Sequence, residues 1–285
     1  MRLLGADFSG GLFRRGYQPS NPAGLWYALA VALVLLVVDQ VLQVALALCF
    51  MLLIKLAPGL MAPFKVSGDF SREFIKAGMV AIFPASLLVA GVAYWLAGLR
   101  GGDRVAVLNL RWPRLTLLGW LVLVIGFMLA MYAVILAITL NPFFHIDMSQ
   151  YTPGPHGESP KTGSAGAVKE AMFDIANSTP LYLLVFPSVA IGAPLAEELI
   201  FRGQLFSALS RTRLGVAGTS LITSGLWALL HVTEPWLSIG LIFAMGLIFG
   251  WMMWRFGSIW LTIACHGIWN GFYALLIYFH AGGNL

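Results

Sequence analysis

Residues 188–205 read SVAIGAPLAEELIFRGQL, a stretch long and apolar enough to be a membrane helix, yet it carries Glu197, Glu198 and Arg202. An ionisable side chain at the centre of such a helix costs about 2.5–3.5 kcal/mol on insertion scales, so each one present needs a partner or a function. Helical spacing sorts the three charges. Glu198 and Arg202 stand at i,i+4 with the acid first, the favourable order for an intrahelical ion pair. Glu197 lies about 100° further round the helix and finds no such partner in its own segment. One glutamate thus has a structural explanation, and its neighbour is the candidate for chemistry.

The rest of the chain places that helix among others. Of 285 residues, 59% are hydrophobic and only 10% charged, and the mean hydropathy is +0.85, which excludes an ordinary soluble domain. Several apolar runs exceed the roughly 18 residues that span a bilayer. The fold class expected is all-α: a polytopic membrane bundle of about seven transmembrane helices with an interfacial helix. The alternating pattern of a transmembrane β-barrel is absent. A net charge of +5 fits basic cytoplasmic loops better than nucleic-acid binding. Cys49 and Cys265 both lie in apolar runs, so neither a disulfide framework nor a cysteine metal motif is expected. No apolar signal-peptide core opens the chain.

The expected organisation is a cytoplasmic lead over 1–22, three transmembrane helices within 23–140, a long extracytoplasmic connection over 141–179 and a core over 180–280. The spans are placed at about 23–56, 74–99, 115–140, 181–209, 214–232, 236–256 and 258–279. Asp39 and Gln43 stand at i,i+4 in the first and can satisfy each other. Pro84, Pro187 and Pro194 predict helix irregularities. The long connection contains His145 and His156, and its segment 165–177 sets Val168, Met172, Phe173 and Ile175 against Lys169, Glu170 and Asp174. That pattern predicts a short interfacial helix, either a solvated surface element or a substrate gate. With the N-terminus inside, the inner segments hold Arg2, Arg14, Arg15, Arg100, Arg104, Arg111, Arg114, Arg211, Arg213 and Arg255. The outer ones hold Lys65, Arg72, Lys161 and Lys169 offset by acids, so loop charge predicts a cytoplasmic N-terminus in the cell membrane.

Two further motifs follow Glu197-Glu198-x-x-x-Arg202. They are Trp227-x-x-x-His231 and His266-x-x-x-Asn270, each again at i,i+4 and so each on one helix face. A lone membrane histidine or asparagine is more often a satisfied packing residue than a reactive one, Trp227 reads as packing, and His280 as a helix-end residue. The coincidence of three such motifs in succession favours a shared polar site. A glutamate with a histidine can hold and deprotonate a water. A second histidine with an asparagine can donate to an oxyanion. The same residues leave open a divalent metal such as zinc on Glu197, His231 and His266. HExxH and GxSxG signatures are absent. Straight helices would put Glu197 and His231 at similar depth and His266 nearer the inner face, so one of the helices is expected to be broken or tilted.

EExxxR, then aromatic-xxxH, then HxxxN resembles the CPBP family of intramembrane glutamate proteases, which includes CAAX proteases and bacteriocin-processing (ABI) proteins. The resemblance covers about 180–273, including Arg255-Phe-Gly-Ser-Ile-Trp260. Trp227 stands where the family more often has Phe. The resemblance implies Glu197 as the water-activating base and His231 as its helper. It implies His266 and Asn270 as the oxyanion site, with Glu198 and Arg202 as structural support. It further implies a membrane-associated peptide or protein substrate, prenylated or not, met within the lipid bilayer, with no nucleic-acid partner. No cofactor is required by the glutamate–water chemistry. The competing expectations are a non-catalytic scaffold or bacteriocin-immunity protein that keeps the polar site, and a proton-relaying transporter, for which no internal repeat is seen.

Overall fold

In hydrocarbon a single chain segment can satisfy its own backbone only as a helix, so uninterrupted apolar runs have one outcome. The computed structural model describes residues 3–19, 21–22, 24–57, 59, 70–140, 164–232, 234 and 236–281. The helices are α1 (Leu25–Leu56), α2 (Phe70–Ala97), α3 (Leu117–Thr139), α4 (Ser164–Ala176), α5 (Thr179–Leu209), α6 (Gly215–Leu229), α7 (Trp236–Phe256) and α8 (Ile259–Ala281). All but α4 and α6 are long and apolar enough to cross a membrane, six candidate spans among the described residues, and the chain is a multi-pass membrane protein. Lys65, His145, His156 and Lys161, with the loops expected around them, lie outside the described residues, as do the side chains of Val168, Lys169 and His280.

The fifth expected span, 214–232, is shorter than expected. Helix α6 has 15 residues and rises about 22 Å, short of the roughly 30 Å hydrocarbon core. The apolar Leu230 and Val232 extend the hydropathy pattern but not the helix. The Leu230 N–H bonds back to Leu226 and Trp227, the His231 N–H to Ala228, and the chain turns.

The chain forms two units, one of residues 1–36, 90–145 and 196–266, the other of residues 37–89, 146–195 and 267–285. In the first, α6 and α7 meet through small residues. A Cβ on Gly246 would come within 2.6 Å of the Ser224 hydroxyl, and one on Gly250 within 2.3 Å of that of Ser220. This is the small-xxx-small apposition by which membrane helices bring backbones together without a hydrophobic driving force. The leading segment, expected as a cytoplasmic lead, packs within this unit. Phe8 and Tyr17 are buried, and the backbone N–H groups of Gly16 and Tyr17 donate to the Trp254 carbonyl at 3.0 and 3.1 Å. The Arg255 guanidinium donates to the carbonyls of Gly11 and Asp7, and Asn21 donates to the Ser207 hydroxyl. Burial pushes the Tyr17 phenol up, and its hydroxyl pairs with that of Ser210. In the basic stretch after α2, Asp103 caps the turn Arg104–Val107. Asn109 then adopts a positive φ of 56°, a conformation that asparagine tolerates better than most residues.

In the second unit, proline decides the side-chain partners. Pro84 lies inside α2 and lacks the N–H that would bond to the Val80 carbonyl four residues back. The fully buried Ser188 hydroxyl donates to that carbonyl and accepts the Phe83 N–H, both at 3.2 Å. Ser188→Ala leaves a buried carbonyl and a neighbouring N–H without this bridge. A loss of about 1–3 kcal/mol is expected, read as a lower unfolding temperature in detergent. Helix α4 is amphipathic, as its sequence predicts, with Ala171, Ile175 and Ala176 buried. Ile175 packs in a cluster with Leu181, Tyr182, Val185 and Ala274. Its polar face is tied to the start of α2, where Arg72 reaches Asp174 at 2.6 Å. Lys76 lies 2.6 Å from Glu73 and 3.5 Å from Asp174. The expected Gln43–Asp39 hydrogen bond forms at 2.7 Å.

Candidate active site

Helix α5 is not one regular α-helix. Wider π-helical turns cover Ser188–Gly192 and Leu199–Leu205, and the α-helical turn Ala193–Glu198 between them holds both glutamates. Such insertions recur at functional sites. In the first π stretch the Ala193 N–H bonds to the Ser188 carbonyl five residues back. In that register the donor for Val189 would be residue 194, which is proline and has no N–H. Asn270 on α8 supplies it, its Nδ2 donating to the Val189 carbonyl at 3.3 Å. Gly267 makes the approach possible, since a Cβ there would lie 2.3 Å from the Ala190 carbonyl oxygen. The Asn270 amide has a second N–H beyond this bond.

The two adjacent glutamates sit in opposite environments. Glu198 and Arg202 are both fully buried, with Nη1 3.0 Å from Oε1. The Arg202 guanidinium also stacks 4.4 Å over the Trp227 ring and 5.2 Å over that of Phe249. Its backbone carbonyl accepts from Asn109 at 3.0 Å. The same Glu198 oxygen faces His266 Nδ1 at 3.4 Å. Thus Glu198 serves more than the ion pair its spacing predicts. It also puts a negative charge beside one nitrogen of a buried imidazole.

Glu197 is partly exposed and, among the described residues, makes no ion pair. Its Oε2 accepts a hydrogen bond from Trp227 Nε1 at 2.5 Å. Trp227 is nearly fully buried. His231 stands one turn on from Trp227, partly exposed, with Nδ1 3.0 Å from the Trp227 carbonyl. A carbonyl only accepts, so in the neutral ring Nδ1 carries the proton and Nε2 keeps its lone pair. The Trp227 ring meets His231 edge-on at 6.0 Å and His266 edge-on at 5.1 Å, with Phe249 at 6.0 Å behind it.

The structure therefore gathers Glu197, His231, His266 and Arg202 around one indole. Asn270 follows His266 on α8 and belongs with Val189. The open question of a metal on Glu197, His231 and His266 meets a poor fit. Among the described residues no three histidine, cysteine or carboxylate side chains converge as ligands would. Cys265, beside His266, is fully buried. The residue that sequence reasoning undervalued is Trp227. The signal was present, since a buried indole N–H needs an acceptor, and Glu197 was the one carboxylate of α5 left without a partner.

Residues 179–272 match the model of a protein family described as Type II CAAX prenyl endopeptidase Rce1-like. The matched segment contains all three motifs. Neither a curated protein nor a solved structure matches the chain.

Proposed function

From the match of residues 179–272 to the Rce1-like CAAX prenyl endopeptidase model, we infer that this chain is a membrane endopeptidase that hydrolyses a peptide bond with a water activated by Glu197. The observation that carries the reading is the contrast within one helical turn. Glu198 is fully buried and paired with Arg202, whereas Glu197 is partly exposed and, among the described residues, makes no ion pair and accepts one side-chain hydrogen bond, from Trp227 Nε1.

In the proposed reaction the Glu197 carboxylate takes a proton from the attacking water, with His231 Nε2 accepting the water's other hydrogen and so fixing its direction. The hydroxide oxygen bonds to the scissile carbonyl carbon, and the carbonyl π pair moves onto its oxygen. His266, donating from Nε2, and Asn270, donating its second amide N–H, stabilise that oxyanion. Asn270 takes this role from its HxxxN spacing. When the tetrahedral carbon collapses, the C–N bond breaks and protonated Glu197 returns its proton to the leaving amine. Glu198 holds Arg202 and supplies counter-charge to His266. The substrate is a membrane-associated peptide or protein. No described residue selects a prenyl group, so both prenylated and unprenylated chains belong in the test. On this reading loop charge puts the N-terminus on the cytoplasmic side of the cell membrane, with residues 23–140 as the first three transmembrane helices and 180–280 as the catalytic core.

The test is cleavage of a broad pool of fluorogenic peptides, prenylated and plain, by the protein in reconstituted membranes. Cleavage that is lost on replacing Glu197 supports the reading. Since no three-ligand set is present among the described residues, EDTA is expected to leave the rate unchanged, and abolition by EDTA with restoration by zinc would overturn the metal-free mechanism. A wild-type protein that cleaves nothing across the pool would favour the scaffold alternative.

A further inference from the structure

Trp227 does more than fill space between α6 and α7. Its ring is clamped from several sides: the Arg202 guanidinium lies over its face at 4.4 Å, and the His266 and Phe249 rings abut it at 5.1 and 6.0 Å. Arg202 is itself held by Glu198 at 3.0 Å and through its backbone carbonyl by Asn109 at 3.0 Å. The indole therefore has little freedom to rotate, and the one polar atom it carries, Nε1–H, points at Glu197 Oε2 from 2.5 Å. Glu197 is a two-oxygen acceptor on a flexible side chain, and this bond is the only side-chain hydrogen bond it makes among the described residues. A rigid donor on one oxygen fixes the carboxylate plane and leaves the other oxygen for a water.

We propose that Trp227 is a positioning residue of the reaction: its indole N–H locks Glu197 Oε2 so that Oε1 is presented to the attacking water. The proposal rests on Glu197 being the base and assigns Trp227 no contact with substrate. The Trp227 backbone carbonyl does a parallel service, since its bond from His231 Nδ1 at 3.0 Å directs Nε2 of that ring. One residue thus orients both groups that handle the water, the acid through its side chain and the imidazole through its main chain. Phenylalanine at this position would keep the ring for Arg202 and the carbonyl for His231, and would lose only the N–H.

That difference defines the experiment. Trp227→Phe, reconstituted beside wild type and Glu197→Gln, is expected to lower kcat about 10–100-fold, the worth of a hydrogen bond to a charged group, with KM within about twofold of wild type. A second readout is independent of turnover. The chain has ten tryptophans, and ¹⁵N-indole labelling with Trp227→Phe identifies the Trp227 signal by its disappearance. In wild type its Nε1 proton is expected downfield of the other indoles, moving upfield in Glu197→Ala while the remaining signals stay in place. Trp227→Phe with wild-type kcat, or a Trp227 proton that ignores Glu197→Ala, overturns the proposal. If Glu197→Gln itself cleaves at the wild-type rate, the base assignment falls, and the indole signal still reports whether the hydrogen bond exists. Trp227→Phe that raises KM and leaves kcat unchanged would mark the residue as packing for substrate and also refute its positioning role.

Discussion

Glu197→Gln is expected to abolish peptide cleavage in reconstituted membranes, lowering kcat by at least about 10²–10⁴-fold, the usual contribution of a positioned general base. The protein should still insert and unfold at close to the wild-type temperature. The reason lies in what the substitution keeps. Glutamine preserves the side-chain length and an acceptor oxygen for Trp227 Nε1, so the 2.5 Å contact survives in kind. It removes only the capacity to take a proton. Glu197 makes no ion pair among the described residues and is partly exposed, so no buried cation is left uncompensated. Retention of cleavage within about tenfold of wild type would exclude Glu197 as the base. Loss of folded protein together with activity would instead mean that its charge is structural.

The adjacent position is expected to behave in the opposite way. Glu198→Ala should cost about 3–5 kcal/mol of stability, because removing one member of a buried pair strands the other's charge. Glu198 and Arg202 are both fully buried, and the guanidinium is sandwiched against Trp227 and Phe249, where water cannot replace the lost carboxylate. Arg202→Met should cost a similar amount for the mirror reason. The double variant Glu198→Gln with Arg202→Met has no stranded charge and should be more stable than either Glu198→Ala or Arg202→Met alone. Thermal unfolding in detergent reads all of these. The double variant should still be a poor enzyme, since His266 Nδ1 then faces a neutral amide where Glu198 Oε1 stood at 3.4 Å. A double variant less stable than both single variants would argue against a stranded charge as the source of their cost. A double variant with full activity would remove Glu198 from the support of His266.

These two neighbours show how far the local pattern reached. Period and charge order were enough to separate Glu198 from Glu197, because an i,i+4 pair is a property of a single helix. The same reasoning located the HxxxN and WxxxH pairs and the Asp39–Gln43 contact. It reached less far at helix ends and in the choice of tertiary partners. The seven-span expectation treated Leu230 and Val232 as helix because hydropathy cannot register a turn made by backbone hydrogen bonds. The prolines at 84 and 194 announced irregularity. Which groups would satisfy the freed carbonyls could not be read from them. The donors proved to be Ser188 and Asn270, more than 75 residues distant in each case. Asn270, read from sequence as an oxyanion donor, thereby acquired a backbone partner that its own motif does not contain.

Composition and local spacing alone established that this chain is a helical membrane protein and that one glutamate in its most charged span is unexplained. Both follow from costs paid within a single segment, the length of a bilayer and the price of an unpaired charge in it. The tertiary structure decided that the unexplained glutamate meets an indole N–H, that this indole is clamped by the neighbouring glutamate's arginine, and that His266 of α8 abuts the same ring as His231. The contacts of Glu197, Arg202 and His266 with that ring join residues 25 to 39 positions apart. They depend on which small residues, such as Gly246 and Gly250, let helices approach and on where π-helical turns rotate a side chain. Only the packed chain determines both.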